Sequence, residues 1–387
     1  MTKPPLKLHE KYVIERADFQ ELFDVLLEEE YDLKGPTVTD EGLKYDDIAS
    51  TEDLPVGLTD EQEGGRYRLV ETEEDKLFGY VHGQDSWKKY LYPSELEVFS
   101  AQETEEGDFE IEEEPLDCPK YAFVGVRSCD LHAITVHDRV FTTGPHTDPH
   151  YQSRRQNMFV VSVDCTNPGE TCFCRSMETG PEARAGFDIN LTEVIQDGRH
   201  YFLAEAGTAE GAEILARVPQ RRATDVEEEH AREEIEQAKN SMGRSMRTDG
   251  LKDLLYDHVE HPRWEDVASR CLTCGNCTNV CPTCFCATIE DRTSLDGSSA
   301  SRVRLRDWCY SKDFSYIHGG PLRDTALARY RQWMTHKLAY WKDQFDVFGC
   351  IGCGRCITWC PVGIDITEEV SAHWRAEGED DRAREAE

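Results

Sequence analysis

The same cysteine spacing occurs twice in this chain, with 68 residues between the two copies. The first copy is Cys271-Leu-Thr-Cys274-Gly-Asn-Cys277-Thr-Asn-Val-Cys281-Pro282. The second is Cys350-Ile-Gly-Cys353-Gly-Arg-Cys356-Ile-Thr-Trp-Cys360-Pro361. Each is a C-x2-C-x2-C-x3-C-P run, the spacing by which thiolates hold a cubane [4Fe–4S] cluster. Three thiolates two residues apart sit on one tight loop and clamp three corners of a cube. The fourth begins the following segment and points away. In two-cluster ferredoxins that fourth thiolate serves the other cluster. The expected ligand sets are therefore crossed: Cys271, Cys274, Cys277 and Cys360 for one cluster, and Cys350, Cys353, Cys356 and Cys281 for the other. The proline after each run stops the loop from continuing as a helix. Gly275, Gly352 and Gly354 let the backbone come close to the sulfides and offer N–H donors that tune potential. The competing reading is a pair of zinc ribbons. Zinc takes four ligands, usually as two pairs, whereas each run here already holds four cysteines with proline attached.

Charge and length narrow the function further. The 387 residues suffice for two or three domains. The net charge of −34 gives no global field to attract phosphate, so nucleic-acid binding is not expected. The first ten residues are polar with two prolines and do not resemble a signal peptide, and no stretch approaches a transmembrane length. With sixteen cysteines and no export signal, the expectation is reduced, metal-ligating thiols in the cytoplasm. Arg outnumbers Lys about two to one. Together with the acidity, this fits either adaptation to high salt or a high-GC genome over an ordinary solvated surface.

The fold class expected is α+β / α/β: a mixed N-terminal region and a central α/β region, followed by an α-helical ferredoxin domain with two [4Fe–4S] clusters. Residues 1–118 are strongly acidic. Leu22-Phe-Asp-Val-Leu-Leu has helical spacing, while Arg66-Tyr-Arg-Leu-Val and Leu77-Phe-Gly-Tyr-Val alternate like strands. The aromatics of 87–92 suit core, or a lid or partner surface. Residues 119–260 form the α/β region. Tyr121-Ala-Phe-Val-Gly-Val and Met158-Phe-Val-Val-Ser-Val read as buried strands, with a helix from Asp130 as N-cap between them. Strands so joined are expected to be parallel neighbours. A charged helix is expected over 224–241, with Glu227, Glu228 and Glu229 on a solvated face. Residues 261–376 form the dicluster domain. There Leu327, Tyr330, Trp333, Met334, Leu338 and Trp341 recur at helical spacing. His318-Gly-Gly-Pro marks a turn beside a cluster or a plain helix boundary. A disordered acidic tail, 377–387, is expected to close the chain.

Four further cysteines converge if the two strands are parallel. Cys129 follows the first strand and Cys165 ends the second, so both emerge at the carboxyl edge, where open α/β sheets bind ligands. Cys172 and Cys174, on a loop begun by Pro168-Gly169, can complete the set. A third [4Fe–4S] cluster on Cys129, Cys165, Cys172 and Cys174 is therefore expected; buried free thiols are the plainer alternative. Cys284, Cys286 and Cys309 are read as spare ligands or as an apolar wall, the wall being favoured, and Cys118 is unassigned. There is no G-x-G-x-x-G and no G-x4-G-K-[ST] loop, and no nucleophile–base constellation stands out, so no catalytic residue is expected.

Four segments carry a family resemblance: Gly125-Val-Arg-Ser-Cys-Asp-Leu-His-Ala-Ile, Pro168-Gly-Glu-Thr-Cys-Phe-Cys-Arg-Ser-Met-Glu-Thr-Gly-Pro, residues 271–286 and residues 349–366. With them the chain resembles the beta subunits of cytosolic, NADP-reducing [NiFe] hydrogenases of the sulfhydrogenase type. It is similar also to the iron–sulfur electron-transfer subunits of anaerobic sulfite reductases. The resemblance spans roughly 120–370. One departure is Glu178, where a glycine is expected before Thr179-Gly180-Pro181. The resemblance implies an electron-transfer subunit without catalysis of its own. It would relay electrons between a flavin- and NAD(P)-binding diaphorase subunit, which holds the FAD, and the hydrogenase small and large subunits, or the sirohaem catalytic subunit of a sulfite reductase. A self-contained iron–sulfur flavoenzyme and a stand-alone ferredoxin are the readings from other classes.

Overall fold

The computed structural model describes residues 6–40 and 42–378; most of the expected acidic tail, 379–387, lies outside the described residues. The chain opens with strand β1 (Lys11–Glu15), helix α1 (Gln20–Glu28) and strands β2 (Asp32–Thr39) and β3 (Gly42–Asp47). A hairpin follows, β4 (Leu58–Glu63) and β5 (Arg66–Glu71), then α2 (Lys88–Leu91) and a second hairpin, β6 (Glu95–Glu103) and β7 (Phe109–Glu113). The middle of the chain holds β8 (Tyr121–Val126), α3 (Ser128–Phe141), α4 (Pro149–Gln156), β9 (Phe159–Val163), β10 (Ile189–Gln196), β11 (Arg199–Ala206), α5 (Ala209–Arg217), β12 (Arg221–Arg222) and α6 (Asp225–Asn240). The C-terminal part holds α7 (Leu251–Asp257), α8 (Arg263–Arg270), α9 (Asn276–Asn279), β13 (Ala287–Thr293) and β14 (Ser299–Arg306). It continues with α10 (Ala326–Thr335), a π-helical turn His336–Tyr340, α11 (Trp341–Phe345), α12 (Arg355–Thr358) and α13 (Ile366–Ala376).

Eight strands form one mixed sheet in the order β12-β1-β11-β10-β9-β8-β2-β3. Its centre is parallel, with β8 pairing β2 and β9, and β9 pairing β10. The reason is visible in the residues. β8 and β9 are near-continuous apolar runs, buried on both faces, as parallel strands under helical layers must be. Phe123, Val124, Phe159 and Val161 are essentially unexposed, each worth about 1.5–3 kcal/mol of burial. As expected, α3 links β8 to β9, so residues just past both strands share one sheet edge. Strands β1, β2 and β3, from the acidic N-terminal region, belong to this same sheet.

Several local expectations change. Leu77, Phe78, Tyr80 and Val81 are buried, but 77–81 is an irregular loop rather than a strand. The Glu193 carboxylate accepts the Leu77 and Phe78 N–H groups at 2.6 and 2.9 Å, replacing a strand partner. The N-cap of α3 is Arg127, not Asp130; Asp130 turns inward to a buried arginine instead. α6 has the expected extent with a Thr224–Glu227 capping box. Glu227 itself is buried rather than solvated, because Arg199 and Arg221 both pair with it. Burial of Trp87, Leu91 and Tyr92 makes 87–92 core.

The 68-residue insert is helical only in its C-terminal part. β13 and β14 form a hairpin that joins β6 and β7 in a four-stranded sheet, order β13-β14-β6-β7. Tyr316–Ile317 and Gly320–Pro321 form a small exposed hairpin around His318. The apolar helical stretch becomes α10, the π-helical turn and α11 in succession, and buries Tyr330, Trp333, Met334, Leu338 and Trp341. No helix among the described residues is long and apolar enough to cross a membrane.

Candidate metal centres

The two runs fold alike. Each C-x2-C-G turn passes through a left-handed glycine, Gly275 (φ 77°) or Gly354 (φ 74°), into a one-turn helix, α9 or α12. Each places an amide against its first sulfur. The Thr273 N–H donates to Cys271 Sγ at 3.4 Å and the Gly352 N–H to Cys350 Sγ at 3.5 Å. The Ile364 N–H donates to Cys360 Sγ at 3.3 Å. Such bonds favour the thiolate form, the form that ligates metal.

Cys271, Cys274, Cys277 and Cys360 line one cavity, walled by Tyr310, Tyr330, Trp333, Ile364 and Ile366. The fourth thiol of the second run therefore sits with the first three of the first. Cys356 reaches the wall of the same cavity. The other run thiols, Cys281, Cys350, Cys353 and Cys356, lie near one another, the first three close enough for their charges to act on Cys356. Burial pushes the Cys356 thiol up, and the charges of Cys350, Cys353 and Cys281 push it further. Burial likewise pushes Cys350 up to about 12.

Cys281 behaves differently. It is held well below the ordinary thiol range by a hydrogen bond with Cys284 and by the charge of Lys337. The Lys337 ammonium is buried and donates to Cys281 Sγ and to Thr283 Oγ1, both at 3.2 Å. Burial works against that charge, but Cys281, Cys284 and Cys350 outweigh it and hold Lys337 above the usual lysine range. The Lys337 carbonyl accepts the Gly349 N–H at 2.8 Å, and Thr283 Oγ1 donates to the Gly349 carbonyl at 2.7 Å. Lys337 lies in the π-helical turn, a geometry often found at functional sites. A second buried lysine, Lys88, donates to the Cys281 and Cys284 carbonyls at 2.8 and 3.1 Å.

The sheet edge supplies a third set. Cys129, in the first turn of α3, and Cys165, two residues past β9, line a small cavity with Cys172 and Cys174. Burial pushes the Cys172 thiol up, and the charges of Cys174 and Cys165 add to it. Cys353 lies on the wall of this cavity too. The loop carrying Cys172 and Cys174 is pressed against the second run. The Phe173 N–H donates to the Gly352 carbonyl at 2.8 Å. A Cβ on Gly352 would meet Cys174 backbone at 2.7 Å, so only glycine fits there. Its backbone thus lies tight against a neighbouring loop. A buried ion pair, Arg355 to Asp130 at 3.0 Å, joins the second run to α3 beside Cys129.

These donor sets fit iron–sulfur clusters. Each is four thiols, with no competing carboxylate in the set, and soft thiolates select such clusters. All sixteen cysteines are free of disulfides. Of the unassigned four, Cys284 faces Cys281, while Cys286 and Cys309 line a separate cavity of about 430 Å³ with His336. Cys118 is exposed. Sequence reasoning missed Lys337, Lys88 and the Asp130–Arg355 pair, and also His82, whose Nε2 lies 3.8 Å from Cys129 Sγ. A lysine among Leu338, Met334 and Trp341 on an apolar helix was the available signal.

Residues 270–364 match the family model for a 4Fe-4S dicluster domain. The chain is 38% identical over 253 residues to sulfhydrogenase 2 subunit beta of Pyrococcus furiosus, covering 64% of this chain and 72% of that protein. No solved structure matches. With that extent of identity, and with the matched dicluster segment enclosing both cysteine runs, the chain belongs to the sulfhydrogenase beta-subunit family.

Proposed function

We propose that this protein is the iron–sulfur electron-transfer subunit of a hydrogenase complex of the sulfhydrogenase type. In this reading it relays electrons between a flavin- and NAD(P)-binding partner and the nickel–iron catalytic subunits. One observation carries the reading: the three four-cysteine sets are contiguous. Cys356 of the second set reaches the wall of the first cavity, and Cys353 of the second set reaches the wall of the third. In this reading the second set stands between the other two. When bound, [4Fe–4S] clusters supply one-electron transfer. The residues do the rest. Tyr310, Tyr330 and Trp333 exclude water at one end of the series, Lys337 places a positive charge at the middle, and the Gly352–Phe173 contact fixes the second and third sets against each other.

Iron counting tests it. The anaerobically reconstituted chain should hold about 12 Fe if all three sets are filled, and about 8 if only the two runs bind. Cys172→Ala should remove about a third of the iron while leaving two cluster signals in the electron paramagnetic resonance (EPR) spectrum. Iron near 8 in both proteins would remove the third site and with it the contiguous series.

A further inference from the structure

Outside the cysteine sets, three histidines meet. His258 caps the C-terminus of α7, His261 lies in the turn before α8, and His373 lies on α13. One ring nitrogen from each falls within 4.8 Å of the others. His258 Nδ1 and His373 Nδ1 are 3.1 Å apart. On its far side His258 Nε2 is 2.8 Å from the Glu377 carboxylate. An ionised carboxylate only accepts, so Nε2 carries a proton, and in the neutral ring Nδ1 then holds the lone pair that faces His373. His373 is fully buried, and its Nε2 has no partner among the described residues. The rings of His258 and His261 stack at 4.9 Å, and that of His261 lies 4.6 Å from His373. His261 Nδ1 accepts the Arg263 N–H at 3.1 Å, a contact that a ligand on that nitrogen would replace.

We infer that His258, His261 and His373 form a binding site for one divalent metal ion of the zinc class, separate from the iron–sulfur sets. Imidazole nitrogens suit such ions, and ligands at about 2.0–2.1 Å in tetrahedral geometry lie about 3.3 Å apart, close to the His258–His373 separation. The Glu377–His258 bond is the carboxylate–histidine support that orients a metal-bound ring. The location gives the site a purpose. α8 runs directly into Cys271, and α13 follows Cys360. A metal there would clamp the segment before the first run to the segment after the second. The Arg263–Glu369 ion pair, 2.5 Å from Nε to Oε2, already crosses the same gap.

The full chain, loaded with iron anaerobically, serves for the test. Zinc and iron are measured by plasma mass spectrometry after zinc exposure and gel filtration. About one zinc per chain is expected beyond the iron. A double His258→Gln, His261→Gln variant, at the two partly exposed positions, should lose the zinc and keep its iron. Cobalt(II) should give visible d–d absorption with the wild type and none with the variant. A wild type that takes up neither zinc nor cobalt, or a double variant that still binds both, would overturn the site and leave a proton-sharing histidine pair. If the variant does not fold, chelation of the zinc-loaded wild type decides: its melting temperature should fall with its iron retained, and an unchanged melting temperature overturns the clamp.

Discussion

Around the first set, Cys271, Cys274, Cys277 and Cys360, the walls are aromatic: Tyr310, Tyr330 and Trp333 close the cavity. Around the second set, which takes Cys281 with the second run, they are cationic: Lys337 donates to Cys281 Sγ, Lys88 to the Cys281 and Cys284 carbonyls, and Arg355 sits within the second run. The spacing of the ligands is the same in both. The comparison teaches that ligand geometry and electrostatic setting come from different parts of the chain. The run fixes where the sulfurs go, while the insert and the N-terminal region decide what charge they see. A buried positive charge favours the more negative, reduced state of whatever the sulfurs hold.

Four measurements test that contrast. The largest effect belongs to Cys360→Ser. With crossed sets, it should disturb the cluster of the first run and lower the iron content by up to about a third; disturbance confined to the second run's EPR signal would uncross the assignment. Next is Asp130→Ala, which strips the buried partner from Arg355. Removing one member of a buried pair costs about 3–5 kcal/mol. Denaturant unfolding should show it, and a loss below about 1 kcal/mol would mean that the pair does not hold the second and third sets together. Lys337→Met should lower the midpoint potential of the second site alone. A charged hydrogen bond is worth about 1.5–3 kcal/mol, or roughly 60–130 mV for one electron. A redox titration showing equal shifts at both sets, or none, would erase the contrast between them. The smallest effect is Glu178→Gly. Glu178 adopts φ 57°, a left-handed conformation that costs a non-glycine residue about 1–2 kcal/mol, so glycine should stabilise the chain by about that amount. Thermal unfolding checks it, and a destabilised variant would mean that the Glu178 side chain holds the loop.

That same residue shows how far sequence reading reached. The absence of glycine at 178 stood out against the expected pattern, and the backbone shows why glycine is expected there, because the loop needs a positive φ. The parallel pairing of β8 and β9 was legible because both are short, continuously apolar and joined by a helical segment. Leu77–Val81 misled because burial of alternate aromatics mimics a strand when the backbone partner is a carboxylate, Glu193, distant in sequence by 116 residues from Leu77 and 115 from Phe78. Glu227 misled for a related reason: an acidic run looks solvated until two arginines from other strands arrive beside one of its members. The hairpin within the insert was missed because β13 and β14 complete their sheet only with β6 and β7, from the other end of the chain.

By itself the sequence determined the ligand spacing of the two runs, the apolar strands that carry Cys129 and Cys165 to one edge, and the family to which the chain belongs. These rest on short-range rules, a fixed spacing on one loop or an apolar run of strand length, and so they survive without knowledge of the fold. The fold was needed to bring Cys356 and Cys353 to the walls of the neighbouring cavities, Cys284 to Cys281, and Lys337 to a sulfur. It alone brought His258, His261 and His373 together from opposite flanks of the dicluster segment. These arrangements depend on segments far apart in the chain meeting in a buried space. Burial there makes a lone charge or donor costly unless its partner is present, and no local pattern records that partner.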